Sequence, residues 1–577
     1  MKWYEFKTVL PDAERTLLAY PPFLRRLIAS RGIETEAEAQ SFLNPDYEAH
    51  THNPFLMKDM EKSVARILKA VENNERIAIW SDYDADGIPG AVVLHDFFKR
   101  IGYPNFENYI PDRHGEGFGL NIPALEKLAE TGAKLLITID CGISDVEAIA
   151  RANELGMEVI ITDHHLPGSE LPPAYAILNP KQSDCGYPEK MLCGSGVVFK
   201  LIQALCIRLS LLNAKRSTLN ALPTGWEKWL LDMVGLATLS DMVPLTGENR
   251  VLAYYGLKVL RKSPRVGLMH LARESRLNQR TLTEDDIGFT ISPRINAASR
   301  MGVPMDAFRL FATTDEAEAG ALAKHLNTIN SERKGKVASL VKEARKIVGE
   351  RHEKSIPLVV VAGNPNWRPA LLGLVANALV EDYRKPVFVW GREGSAKLKG
   401  SCRSDGSVDL HLLMSEARHV FADFGGHAEA GGFSIVLEKV HLLESELELA
   451  YEKVRLASVE TPKYMVDATL SLEDVHFDTW KEIEKLAPFG VGNPKPLFLF
   501  EQLMVNRVEP FGKEKQHLKL IFEKNRGEKV SAISFFTHAE DFGVSLAPGT
   551  RVNLLAHLEK STYGRYPELR LRIVDIV

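Results

Sequence analysis

The chain has 577 residues, 45% of them hydrophobic and 25% charged, with a formal net charge of −5. At roughly 100–200 residues per domain, this length calls for three or four domains, each able to bury a core. A slightly acidic balance argues against a protein that coats duplex DNA, though an enzyme threading one strand needs only local positive charge, and five cysteines without a CxxC pair argue against a zinc or disulfide framework.

No apolar signal core follows Met1, and no apolar run approaches the roughly 20 residues that span a bilayer, so a cytoplasmic protein is expected. Residues 1–70 read as a helical lead-in, with an apolar-periodic helix through Leu24, Leu27 and Ile28 and further helices near 34 and 59–72. From 71 to 312 short apolar runs at 77–80, 135–139, 159–162 and 176–178 alternate with helices near 90–101 and 145–155. That alternation predicts βαβ units and a parallel sheet, whose ligands bind beyond the carboxyl ends of the strands. Residues 190–310 read as mostly helical; within them 258–280 carries seven Lys or Arg against Glu274, by charge alone a solvated surface. A long polar helix, opened by Thr314-Asp315, is expected over 313–354 as a connector. Strand–helix alternation resumes over 355–458 (strands 358–361 and 387–390, a helix near 371–380), a smaller α/β domain. Over 459–577, alternating strands at 465–472, 497–508, 517–523, 529–536, 551–558 and 568–577 predict a small β-barrel of OB type.

Four polar clusters follow these elements. Ser81-Asp82-Tyr83-Asp84-Ala85-Asp86-Gly87 sets three aspartates at alternate positions after the strand at 77–80. In extended chain such side chains share a direction, and like charges so close repel unless a cation sits among them. One aspartate there would be a helix cap; three ending in glycine favour metal. Asp140-Cys141-Gly142 follows the strand at 135–139, and Asp163-His164-His165 the strand at 159–162. Alone, the first is a turn and the second a pair of surface histidines, although neutral imidazole is a frequent metal ligand. Asp241 ends an apolar helix at 230–239, where an acid opposes the helix dipole unless a cation compensates. Together the clusters bring carboxylates and imidazoles to the ends of successive strands. Oxygen-rich donors with one or two imidazoles suit Mn²⁺ or Mg²⁺ better than a thiolate zinc site does. Two divalent cations roughly 3.5–4 Å apart would activate a water and stabilise the leaving oxygen of a phosphodiester.

These four clusters, in this order, resemble the metal motifs of the DHH phosphoesterase family. The resemblance implies that Asp84, Asp86, Asp140, His164 and Asp241 bind metal, with Asp82, Asp163 and His165 as further ligands or their supports. Asp84, Asp86, Asp140, His164 and His165 would then carry the chemistry. Ala29-Ser30-Arg31-Gly32-Ile33 and Pro293-Arg294-Ile295-Asn296-Ala297-Ala298-Ser299-Arg300 are similar to segments of the family's single-stranded-DNA exonucleases. By that likeness Arg294, Asn296 and Arg300 would meet phosphates, against the plainer reading of structural salt bridges. Gly400-Ser401-Cys402-Arg403-Ser404 and Phe424-Gly425-Gly426-His427 resemble the motifs of the family's DHHA1 domain, which implies that Ser401, Arg403, Ser404, Gly425, Gly426 and His427 bind substrate. Pro488-Phe489-Gly490-Val491-Gly492-Asn493-Pro494 resembles the lead into its OB domain, where Arg507, Lys513, Lys515, His517 and Lys519 are candidates for a strand-binding groove.

Two departures stand out. Pro89-Gly90 occupy positions usually held by small hydroxyl residues, and Asn366-Trp367-Arg368-Pro369 replaces a Trp-His-Xaa-Gly pattern, leaving Arg368 to meet a phosphate from an altered loop. The resemblance spans nearly the whole chain. It implies a two-cation exonuclease that degrades single-stranded DNA 5′ to 3′ to mononucleotides in repair and recombination, as a monomer working with a helicase and a single-strand-binding protein. One alternative is a DHH phosphodiesterase of short oligonucleotides or a small nucleotide, which would not need the lead-in and barrel. The other is a non-catalytic replication scaffold, which the intact carboxylates oppose.

Overall fold

The computed structural model describes residues 4–9, 11–113, 115–213, 220–352, 355–392, 397–455, 463–561 and 566–576. Ile77, Ala78, Ile79 and Trp80 are buried on both faces of their strand, as the centre of a parallel sheet requires. The sheet has five parallel strands in the order Phe106–Tyr109, Arg76–Ser81, Ala133–Ile139, Glu158–Thr162, Ala176–Leu178. Phe106–Tyr109 escapes the sequence reading because this half-buried edge strand, Phe-Glu-Asn-Tyr, has no apolar alternation. Helices Gly87–Ile101 and Gly194–Asn213 cover one face through Ile77, Ile79, Leu135 and Ile137. Ile122–Glu130 and Val146–Glu154 cover the other through Ala78, Trp80, Leu136 and Ile161. Gly194–Leu211 is long and apolar enough to cross a membrane by length and composition, but 67% of it is buried inside the protein as a core helix.

The lead-in expected as one unit divides. Pro22–Ala29 and Glu36–Leu43 turn Leu24, Leu27, Ile28, Ala39 and Leu43 into the core of the C-terminal sheet, sharing it with Phe498 and Phe500. Met60–Glu72 instead joins the first α/β domain through Met60, Val64 and Ile67. The connector runs over Glu316–Arg351, capped by Asp315, which accepts the Glu318 N–H. Its first half contributes Leu322, Leu326 and Ile329 to the first domain's core, and its second half gives Val341, Ala344 and Val348 to the second. The expected end of this helix at 353–354 and the expected boundary at 458–459 lie outside the described residues.

The second α/β domain holds a five-stranded sheet, ordered Phe421–Gly426, Ala430–Ile435, Leu398–Arg403, Val387–Gly391, Val360–Gly363, with only the last pair parallel. Its first three strands are glycine-rich and carry no strand signal in the sequence. The C-terminal sheet has seven strands, from Ala468–Thr469 through Phe498–Met504, Arg551–Ser561, Glu568–Ile576, Lys529–Ser534 and His517–Glu523 to Arg507–Phe511. The single strand expected at 497–508 is broken in two at Val505-Asn506. The basic run at 258–280 is not a continuous solvated strip: Arg265 is half-buried and paired with Asp96 and Asp232, and Arg261 donates to the Leu282 carbonyl.

Candidate metal centre

The carboxyl ends of three adjacent strands deliver three of the polar clusters to one edge of the sheet, and the end of helix Leu231–Ser240 brings Asp241. The aspartates of the first cluster do not lie in extended chain; the strand stops at Ser81 and 82–86 form a tight turn into helix Gly87–Ile101. Asp84 Oδ1 accepts the N–H groups of Asp86 (2.8 Å) and Gly87 (3.0 Å). The Asp86 carboxylate accepts those of Gly194 (2.6 Å) and Ser195 (2.7 Å), where the exposed donors and dipole of a helix N-terminus favour a negative charge. Asp140 leaves its strand with a left-handed backbone, φ 60°. Gly194 packs against it so closely that a Cβ there would stand 2.6 Å from the Asp140 Cβ, so the approach requires glycine. His164 Nε2 lies 3.2 Å from Asp140 Oδ1, 3.7 Å from Asp241 Oδ2 and 3.9 Å from Asp86 Oδ2.

Three overlapping groups result: Asp82, Asp84 and Asp140; Asp86, His164 and Asp241; Asp140, His164 and His165. Within each, the donor atoms lie within 4.8 Å of one another. Asp82 Oδ1 and Asp140 Oδ1 are buried with no hydrogen-bond donor among the described residues, a costly condition that a divalent cation would relieve. The donor set, hard oxygens with imidazole, fits two such ions. Asp163 stands outside the three groups. Its carboxylate accepts the N–H groups of Ile143, His164 and His165 and bonds His165 Nδ1 at 2.8 Å.

Burial, reinforced by neighbouring aspartates, dominates the electrostatics. It pushes the Asp82 and Asp140 carboxyls well above their ordinary range, with Asp84 adding to the first and Asp86 to the second. Asp86 is raised to about 6 by burial and then Asp84, and Asp241 is driven well up by burial and then Asp86. Burial, then His165, depresses His164 to about 3, so its imidazole is neutral and offers a lone pair. At His165 burial pulls downward, but the bond to Asp163 outweighs it and the ring ends above its ordinary value. For Asp163 burial pulls upward, yet the His165 ring and the N–H donors leave it below its ordinary range.

The substrate candidates fall into two sets. In the second domain the strand register sets Ser401 beside Gly432 and Gly432 beside Gly425, while Cys402 points to the opposite, buried face. Ser401 and Arg403 therefore flank a side-chain-free shelf, with Arg403 Nη1 bonded to Ser401 Oγ (3.2 Å). Arg403 and Ser404 also line a cleft of about 400 Å³ with Met242, the neighbour of Asp241. Gly425 and Gly426 thus end a strand rather than forming a loop, and His427 is exposed just beyond it. In the first domain Asn296 Oδ1 accepts the Ala85 N–H (2.9 Å), so it braces the aspartate turn. Arg294 is held by Asn327 and the Thr290 carbonyl, and Arg300 reaches across to the Ala370 carbonyl (2.7 Å). Arg368 precedes helix Pro369–Tyr383, with Nη1 3.7 Å from Met301 Sδ.

Two cations escape the sequence reading. Lys181 is half-buried among Asp241, Asp163 and Asp140. It follows strand Ala176–Leu178, so the strand-end rule would have found it. Arg113 lies over the Tyr83 ring (5.0 Å) and faces Asp82, but no local pattern marks it.

Models of three domains match in order: the DHH family N-terminal domain over 76–237, the DHHA1 domain over 355–453 and the RecJ OB domain over 466–575. The single-stranded-DNA-specific exonuclease RecJ of Bacillus subtilis (strain 168) is 34% identical over 580 residues, covering 100% of this chain and 70% of that protein. The chain belongs to the RecJ family. A second RecJ, from Haemophilus influenzae, is 32% identical over 526 residues, 89% of each protein. The crystal structure of RecJ from Thermus thermophilus in complex with Mn²⁺ superposes with a TM-score of 0.81 at 25% identity, covering 100% of this chain and 80% of that one. The RecJ likeness therefore takes in the whole chain, including the lead-in that precedes the first matched domain.

Proposed function

We propose that this RecJ-family chain is a single-stranded-DNA-specific exonuclease that hydrolyses phosphodiester bonds from the 5′ end. The observation that carries the reading is the pair of donor groups, Asp82–Asp84–Asp140 and Asp86–His164–Asp241, side by side at one sheet edge. When bound, two Mn²⁺ or Mg²⁺ ions would lower the pKa of an attacking water and stabilise charge on the departing oxygen. Neutral His164 contributes its lone pair without first losing a proton. Asp163 fixes the His165 ring and raises its hold on a proton, which suits His165 to supply the proton taken up by the leaving oxygen. Ser401, Arg403 and the glycine shelf grip a neighbouring phosphate, the glycines letting the sugar–phosphate backbone lie flat. Arg300 and Arg113 add positive charge over the aspartate turn.

The same reading expects a cytoplasmic monomer that receives its strands through a helicase and a single-strand-binding protein. Digestion of end-labelled single-stranded and duplex DNA with Mn²⁺, Mg²⁺ or chelator tests it. Mononucleotides from the single strand are expected, with loss of activity in chelator and in Asp140→Ala at unchanged melting temperature. Endonucleolytic products, indifference to chelator, or full activity in Asp140→Ala would contradict it. A phosphodiesterase of short oligonucleotides would instead turn over a dinucleotide faster than a long strand.

A further inference from the structure

The loop at 241–246, which begins with Asp241, is shared with the C-terminal domain. Leu245 donates its N–H to the Val491 carbonyl at 2.7 Å, between two distant parts of the chain. Gly490 and Gly492 let the loop at 488–493 lie against it: a Cβ on Gly490 would stand 2.8 Å from Leu245 Cδ1, and one on Gly492 3.3 Å from Pro244 Cβ. The C-terminal loop is itself rigidly held. Gly490 and Asn493 bond each other through their backbones, and buried Asn493 donates from Nδ2 to the Leu486 and Pro488 carbonyls. Its Oδ1 accepts from Arg31 Nε of the lead-in at 2.7 Å. Arg250, on the helix that follows the Asp241 loop, clamps the same turn through the Leu486, Ala487 and Pro488 carbonyls.

Asp241 needs such a support. It caps the C-terminal end of Leu231–Ser240, where the helix dipole repels its charge, and the next residue, Met242, is left-handed at φ 59° and 71% exposed. Asp86 and Asp163, by contrast, are held by N–H groups of their own domain. We propose that the loop at 488–493, with Gly490 and Val491 as positioning residues, holds Asp241 in the metal centre, so that the first domain's ion pair is complete only when the C-terminal domain is docked. This rests on Asp241 being a metal ligand as proposed above. Groups that orient a ligand are worth about 10–100-fold in metal affinity.

The test is Mn²⁺ binding to the full chain without DNA, followed by the electron paramagnetic resonance signal of the free ion, in wild type, Asp241→Ala, Gly490→Val and the Gly490→Val/Leu245→Ala pair. Wild type should bind two ions. Gly490→Val should weaken one of them about tenfold and leave the other unchanged. Removing the Leu245 side chain that the new valine strikes should restore the weakened ion, a rescue that a general loss of stability would not give. Two ions bound normally by Gly490→Val, or no rescue in the pair, would overturn the proposal. Should Gly490→Val fail to melt cooperatively, Gly490→Ala carries the same expectation at smaller size. Normal binding of both ions by Asp241→Ala, or none by wild type, would instead overturn the reading of the metal centre.

Discussion

His95 illustrates how burial converts a side chain into a pH-dependent element. Its ring lies between Phe106 and Phe308, 5.2 and 5.3 Å between centroids, and meets Asn108 Nδ2 at 2.9 Å. Burial first, then Lys99 and Arg265, holds it down at about 4 against an ordinary 6.5. Between those values the unfolded chain binds the proton that the folded chain refuses, so this residue costs stability as pH falls from 6.5 to 4 and adds no further loss below that. His95→Gln keeps a partner for Asn108 and has nothing to charge. The drop in melting temperature from about pH 7 to about pH 5 should be smaller in this variant than in wild type; an equal or larger drop would contradict the assignment. Nothing in the local sequence marks His95. The Asp163-His164-His165 run, by contrast, stands out because adjacent imidazoles after an apolar strand have no packing reason to be there. What the run does not reveal is the division of labour within it, with Asp163 turned back onto backbone donors while His164 faces Asp140 and Asp241.

Helix packing sets where Asp241 can reach. Leu231–Ser240 and Gly247–Leu260 cross at Gly235 and Gly256, where a Cβ on either residue would come within 2.4 Å of the other's Cα. Gly256→Ala must push the helices apart, and overpacking of this kind costs roughly 1–3 kcal/mol. A lower midpoint in urea unfolding at unchanged slope is expected, and an unchanged midpoint would show that the crossing has slack. The parallel strands of the first domain other than Phe106–Tyr109 are legible because burial on both faces leaves a continuous apolar run. Leu398–Arg403, Phe421–Gly426 and Ala430–Ile435 are not, because the shelf that leaves room for substrate is made of the residues that weaken a strand signal, glycine above all.

Across the molecule the chain closes on itself. Tyr4–Phe6 pairs with Tyr464–Val466, Lys7 and Ser30 bond the buried Asp467, and the apolar faces of Pro22–Ala29 and Glu36–Leu43 complete the C-terminal core. A chain ending at 462 should therefore lose amide-exchange protection over 22–43; retained protection there would mean that these helices hold themselves. The apolar stripe of the lead-in is visible in sequence. Its destination is not, because a stripe says that a face is buried and never against what, and Arg31 meets a partner 462 positions away. The same closure places the Asp241 loop between two domains, and the account as a whole stands on two cations sharing that edge of the sheet. Anomalous diffraction from crystals soaked in Mn²⁺ measures this directly. Two peaks are predicted, one among Asp82, Asp84 and Asp140 and one among Asp86, His164 and Asp241; no peak there, or a single ion bound elsewhere, would contradict it.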